Sequence, residues 1–260
     1  MGQLIRDWVA LFYEDAGKGA PPLLFIHGLG GDHTFFAPQF ECLRRDHRVV
    51  AIDLRGHGQS DAPQQGYTVA SLADDLTWMC YELGLYKPVF VGHGLGGMIA
   101  IECAARHPDL PAGIVALDAP LPPTAETRVF CQRVLEGLRG SANPDVLRPL
   151  MEGLCRPAAG PQARAQVLAQ VARLAPCVAT PIWESACAWD AGTALVGCRL
   201  PLLYIAAEAQ WADLTRLREL CPHVMVSSTV GAGHYHQLGI STQVNDMLVS
   251  FLRTSLSQKA

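Results

Sequence analysis

The stretch Val91-Gly92-His93-Gly94-Leu95-Gly96-Gly97, VGHGLGG, follows an apolar run, leads into a helical pattern and can be read two ways. As G-x-G-x-x-G, through Gly92, Gly94 and Gly97, it is a dinucleotide-binding fingerprint. Asp118 even lies ~20 residues on, where the ribose-binding acid of such a site is sought. As G-x-S-x-G it is a sharp strand-to-helix turn that exposes a nucleophile, with Gly94 standing where the serine belongs. The surrounding sequence decides between them.

Working outward, short apolar runs bounded by Gly, Pro or Asp alternate with helical patterns. The runs are PLLFIHG (22–28), RVVAIDLRG (48–56), PVFVGHG (88–94), GIVALDAP (113–120), PLLYIAAE (201–208) and HVMVSSTVGAGH (223–234). Runs apolar on both faces read as central strands of a parallel sheet, and the segments between them as crossover helices. In SLADDLTWMCYELGL (71–85), Leu72, Leu76, Met79, Cys80 and Leu83 form one stripe, with Ser71 as N-cap and Gly84 near the stop. The fold class is therefore α/β, a mostly parallel sheet flanked by helices. Between Pro120 and Arg199 several helical patterns, punctuated by Pro144, Pro157, Pro161 and Pro181, run without a strand. This predicts a helical cap at 121–198 inserted into a core formed by 1–120 and 199–260.

A dinucleotide-binding domain of the usual kind carries its fingerprint at the first strand, whereas here two strand-like runs with their own glycine loops come first. One ends His27-Gly28-Leu29-Gly30-Gly31, a tight turn that can aim the Leu29 amide at an oxygen. The other ends Asp53-Leu54-Arg55-Gly56-His57-Gly58-Gln59-Ser60, where Asp53 and Arg55 read as a structural hydrogen-bonded turn. With GAGH (231–234), these motifs resemble the α/β-hydrolase superfamily, in family order and over nearly the whole chain.

Carried over residue by residue, the resemblance implies that Gly94 occupies the nucleophile position and that Leu29 and Leu95 supply oxyanion amides. It makes His234 the general base. For the acid it offers two positions. One follows PLLYIAAE and falls near Gln210, with Glu208 and Asp213 as substitutes. The other is Asp118, as in haloalkane dehalogenases, zearalenone-type lactonases and cofactor-free dioxygenases. Asp118 is the expectation, because a strand end holds a carboxylate more firmly than a loop.

Around this centre, His33 and Phe35 after the oxyanion loop, His93 in the elbow, and Trp183 and Trp189 at the end of the cap are the candidates for contacting substrate. Each also has a plain packing reading. His27 reads as structural, and Tyr235 and His236 beside the base read as shape-filling.

Composition narrows the partners. Half of the 260 residues are hydrophobic and the net charge is −4, without a run of either sign. That gives no field to collect nucleic acid or an anionic membrane, and leaves a small molecule as the expected ligand. Arg6 and Asp7 interrupt the apolar N-terminal stretch, and no run reaches the length of a membrane span. Nine widely spaced cysteines without a C-x-x-C pair argue for reduced thiols and a cytoplasmic setting. They give no zinc knuckle, and no metal or cofactor is expected. Monomer and homodimer are both open.

The function expected from these residues is hydrolysis of a small to medium, fairly apolar carboxylic ester or lactone, silenced because glycine has no hydroxyl at position 94. Two alternatives stay open: a cofactor-free oxygenase or lyase working with the His-Asp base alone, and a ligand-binding pseudoenzyme.

Overall fold

The computed structural model describes residues 1–140, 143–155, 160–208 and 211–256. Eight strands form one sheet: β1 (Gly2–Arg6), β2 (Val9–Ala16), β3 (Leu23–Ile26), β4 (Val49–Ile52), β5 (Val89–His93), β6 (Gly113–Leu117), β7 (Leu202–Ala206) and β8 (Met225–Ser228). Their order is β1-β2-β4-β3-β5-β6-β7-β8, and every pairing from β4 to β8 is parallel. All six strands expected from the apolar runs are present, each shorter than its run. The run ends are the loops that carry the candidate site.

The expectation missed the N-terminal hairpin. β1 and β2 pair antiparallel with Arg6 opposite Val9, so the turn is the two residues Asp7 and Trp8. Both have positive φ (49° and 66°), the geometry whose twist suits a two-residue hairpin. β2 continues antiparallel onto β4 and closes that side of the sheet.

Alternation within the parallel strands divides the core in two. Leu24, Ile26, Val50, Ile52, Phe90, Ile114 and Tyr204 face one layer of helices. Leu23, Phe25, Val49, Ala51, Val89, Val91, Val115 and Ile205 face the other. Consecutive residues point to opposite faces and both faces are covered, which is why these strands read as unbroken apolar runs. The first layer is closed by α2 (Val69–Glu82) and α3 (Leu95–Arg106), the second by α1 (Ala37–Leu43) and a C-terminal helix, Ser241–Phe251.

α2 begins earlier than its apolar stripe suggested. Thr68 is the N-cap, accepting from the Ser71 amide, while the Ser71 side chain answers the Thr68 amide. Ser71 is thus the returning member of a capping box rather than the cap itself.

Between β6 and β7 lies the inserted helical cap: α4 (Ala125–Gly140), α5 (Asn143–Leu154), α6 (Gly160–Val171), α7 (Pro176–Ala188) and α8 (Ala191–Val196). Pro181 does not break the cap as the sequence suggested. It lies inside α7, which starts a turn earlier with Pro176 near its first position. Pro157 lies outside the described residues. The cap is tied to the core by hydrogen bonds from the Val69 amide to Ser185 Oγ (3.0 Å) and from Gln166 Nε2 to Thr34 Oγ1 (2.8 Å).

Candidate active site

The site is built where β5 gives way to α3. Gly94 has φ 52° and ψ −112°, a conformation that glycine takes freely and other residues adopt under strain. Its neighbours are glycines for a different reason. A β-carbon on Gly96 would run into the carbonyl oxygen of Ile26, and one on Gly92 into the carbonyl of Gly96. The glycine spacing therefore lets helix and strand touch backbone to backbone, and the turn projects residue 94 into the space beyond the sheet.

Asp118 follows directly on β6 with φ 45° and is fully buried. Its Oδ2 accepts from His234 Nδ1 at 2.8 Å and its Oδ1 from the Ala207 amide at 3.1 Å. With Nδ1 donating, the lone pair of His234 is on Nε2. That nitrogen faces Gly94: a β-carbon built there would lie 3.3 Å from it. The carboxylate that meets His234 is therefore that of Asp118. Asp213 instead caps α9 (Leu214–Leu220) by accepting from the Arg216 amide, and Glu208 is exposed. Gln210 lies outside the described residues. The ribose role first considered for Asp118 is closed off, because both its oxygens are engaged inside the protein.

His93 holds His234 through its backbone. It is buried, and its Nε2 donates to the carbonyl of His234 at 3.0 Å, with the two rings 4.3 Å apart. Burial, reinforced by the neighbouring imidazoles of His234 and His236, pushes its pKa well below the ordinary histidine value, so the ring is neutral. Nearby, buried His236 donates from Nδ1 to Thr229 Oγ1 at 3.1 Å, since that hydroxyl itself donates to the Ala206 carbonyl. Burial lowers its pKa to about 4. Two uncharged imidazoles thus lie near the one that is paired with Asp118.

These groups open into a cavity of about 670 Å³, a volume suited to a small-molecule ligand. Gly94, His234, Asp118, His93, Leu29 and Leu95 line its floor, and α4, α5 and α7 line its roof. Leu95 opens α3, so its N–H has no carbonyl one turn back to bind and stands at the positive end of the helix.

Trp183 and Trp189 form part of the wall, held by their indole N–H groups: Trp183 to the Cys131 carbonyl and Trp189 to Glu102, both at 2.9 Å. Two other expected substrate contacts are corrected. His33 is buried away from the cavity, where its amide and its Nδ1 both donate to Asp53 Oδ1, at 2.6 and 2.8 Å. Burial alone would lower its pKa; the hydrogen bond and charge of Asp53 outweigh that and raise it. Phe35 packs edge-on against Tyr235 inside the core, with 1% of its surface exposed. Asp53 and Arg55 also part company: Asp53 braces His33 and Gln59, while Arg55 pairs with Asp75 at 2.5 Å.

Sequence reasoning missed much of the wall. Arg128, Gln132, Arg133 and Glu136 of α4, Met98 of α3, Met151 of α5 and Trp211 all line the cavity, and Trp211 packs its ring 5.7 Å from that of His234. The amphipathic pattern of α4 carried a signal for a one-sided helix, without saying what it would face.

Comparison with known proteins agrees with this architecture. The family model for the α/β hydrolase fold matches residues 21–169, and the chain belongs to that family. It is similar to the AB hydrolase superfamily protein YisY of Bacillus subtilis, 42% identical over 110 residues that make up 41% of each chain. It is also similar to the 2-(acetamidomethylene)succinate hydrolase of Mesorhizobium japonicum, 36% identical over 42% of this chain and 39% of that one. The matched region thus spans about two-fifths of the length of these curated relatives. Among solved structures, a thermophilic esterase from Thermogutta terrifontis superposes with a TM-score of 0.83 at 25% identity, covering 95% of this chain and 94% of that one. Est816, described as an N-acyl homoserine lactone degrading enzyme, superposes with a TM-score of 0.84 at 23% identity, covering 96% and 100%. Among the described residues, no helix is long and apolar enough to cross a membrane.

Proposed function

We propose that the cavity is the active site of a carboxylic ester or lactone hydrolase in which glycine occupies the nucleophile position. The observation that carries this reading is the Asp118–His234 pair, whose free Nε2 faces residue 94 at the mouth of α3. An acid-fixed imidazole is useful where a neighbouring hydroxyl must lose a proton, and the base and its acid are intact here. The amides of Leu29 and Leu95 would hold the oxyanion, and the tryptophans and methionines of the wall would hold an apolar acyl or lactone ring. That an esterase and a lactone-degrading enzyme share the fold supports the same substrate class.

In the intended sequence of events, a hydroxyl at residue 94 gives its proton to His234 Nε2 and attacks the substrate carbonyl. The imidazolium, stabilised by Asp118, then protonates the leaving oxygen, and water reverses the process to release the acid. Glycine removes the first step. Loss of the nucleophile from such a triad costs about 10⁶ in kcat and leaves about 10³ to 10⁴ over water from the remaining groups.

The test is the Gly94→Ser variant, assayed with p-nitrophenyl esters and lactones of graded chain length. The reading expects a gain of several orders of magnitude over the glycine protein on short to medium apolar substrates. No gain on any of them would overturn it.

A second reading rests on the space left beside His234. Without a side chain at 94, Nε2 faces the cavity directly, and the pair could remove a proton from a bound acidic substrate in a cofactor-free oxygenase or lyase. That reading expects turnover of such a substrate by the glycine protein, abolished by His234→Ala. A ligand that binds unchanged after loss of both His234 and Asp118 would instead favour a binding protein.

A further inference from the structure

The cysteines hold a second arrangement that the hydrolase chemistry does not use. Cys198 lies between α8 and β7, and Cys221 and His223 lie between α9 and β8. These are the N-terminal ends of β7 and β8, at the edge of the sheet opposite Gly94, Asp118 and His234, which all follow strand C-termini. The two thiol sulfurs and a ring nitrogen of His223 lie within 4.8 Å of one another.

We propose that Cys198, Cys221 and His223 bind one soft divalent cation, zinc being the ion that their chemistry favours. Two thiolates and an imidazole are a zinc donor set, and Zn–S and Zn–N bonds of about 2.3 and 2.0 Å at the tetrahedral angle place sulfur and nitrogen about 3.5 Å apart. The imidazole is already prepared for this. Its Nε2 donates to the Leu200 carbonyl at 2.9 Å, the backbone anchor that metal-binding histidines commonly use, which leaves the lone pair on Nδ1. Cys221 Sγ lies 3.5 Å from Nε2 and 3.9 Å from Nδ1 of His223, so with Nε2 kept on the Leu200 carbonyl a small turn of the ring brings Nδ1 to the distance that edge of a tetrahedron requires.

Burial is graded in the way an entry path requires: Cys221 is 1% exposed, Cys198 9%, and His223 lies at the surface. The fourth position would face solvent. Binding replaces the two thiol protons with the ion and releases them to water, so affinity rises with pH. The bound ion would clamp the loop before β8, the exposed last strand of the sheet, onto the loop before β7.

The experiment is titration of the reduced, full-length chain with Co²⁺, followed by displacement with Zn²⁺. One cobalt per chain should bind with a near-ultraviolet thiolate charge-transfer band and tetrahedral visible bands. Cys198→Ser and Cys221→Ser should each abolish the charge-transfer band, while the double variant Cys131→Ser with Cys187→Ser, which removes the thiol pair in the cavity wall, should retain it. His223→Ala, a surface change that leaves the core untouched, should weaken binding about tenfold or more and remove the zinc-induced rise in melting temperature. The absence of a band in the reduced chain, or a band that survives Cys198→Ser, would overturn the assignment. So would recovery of Cys198 and Cys221 as a disulfide from protein purified without oxidant.

Discussion

A β-carbon placed on Gly94 would stand 3.3 Å from Nε2 of His234, and among the described residues beyond its own chain neighbours it would meet no atom but that ring within 4 Å. The free ring nitrogen of His234 is thus aimed at a residue that has no side chain to meet it. His234 is anchored by Asp118 at 2.8 Å and by His93 through its carbonyl, so on the proposed reading glycine at 94 takes away the nucleophile and leaves the base and its acid in place.

The role proposed for Asp118 gives a direct contrast. In a Gly94→Ser background, Asp118→Asn leaves the shape but removes the acceptor that selects the His234 tautomer, and kcat should fall about 10⁴-fold. Glu208→Gln, at an exposed carboxylate, should change kcat by less than about threefold. Steady-state rates on one p-nitrophenyl ester measure both, and the reverse order would move the acid to the loop after β7.

On the proposed reading His93 is a positioning residue, acting through the carbonyl of His234. His93→Ala in the Gly94→Ser background should lower kcat about 10- to 100-fold with KM within about threefold, because misplacement of the base is felt in the transition state. His93→Gln, which can still donate to the carbonyl, should recover part of the loss. A change confined to KM would make His93 a substrate contact instead.

The glycines of the elbow carry a stability prediction. Gly96→Ala must push the first turn of α3 away from the Ile26 carbonyl, which overpacks the junction and should cost about 1–3 kcal/mol. Gly84→Ala faces open space, so only its positive φ resists, and it should cost about 1 kcal/mol. Urea midpoints at constant m-value compare them.

Stability should fall on acidification. Burial is the leading cause that lowers the pKa of His27, His57, His93 and His236, with His57 reaching about 3 and His236 about 4. In the unfolded chain each takes up a proton near the ordinary value of about 6.5. Between about pH 6.5 and 4 the unfolded state therefore binds more protons, and stability rises with pH across that window. His33 has the opposite sign: its raised pKa contributes stability at low pH that is lost as pH rises through it, and it is one group against four. Urea midpoints at about pH 7 and 4.5 should differ in favour of pH 7, and His57→Gln should narrow the gap; equal midpoints would contradict this account.

What was legible in the sequence was whatever a short stretch determines by itself. The elbow declared itself because two backbone approaches, at Gly92 and Gly96, and the β-carbon of Ala119 against Gly97 leave room only for hydrogen at these positions. The strands of the parallel sheet were readable because burial on both faces leaves no polar alternation. β1 and β2 were obscured by Arg6 and Asp7 at their turn and by an exposed outer face. His33 and Phe35 were placed at the cavity because they follow Leu29 closely. Asp53, 20 residues away, turns His33 inward, and Tyr235, 200 residues away, packs Phe35 into the core. The wall supplied by α4 and Trp211, and the meeting of Cys198 with Cys221 and His223, depend on how separate loops converge, which no spacing along the chain encodes.

The central claim is that residue 94 is the nucleophile position served by His234. A fluorophosphonate probe tests it without knowledge of the substrate, since such probes label only an activated hydroxyl. Intact and peptide mass spectrometry of the Gly94→Ser protein should show one adduct, on the peptide that spans residues 88–106. The adduct should be absent from the glycine protein and lost when His234→Ala is added. A folded Gly94→Ser protein that stays unlabelled, or labelling that persists without His234, would contradict the account.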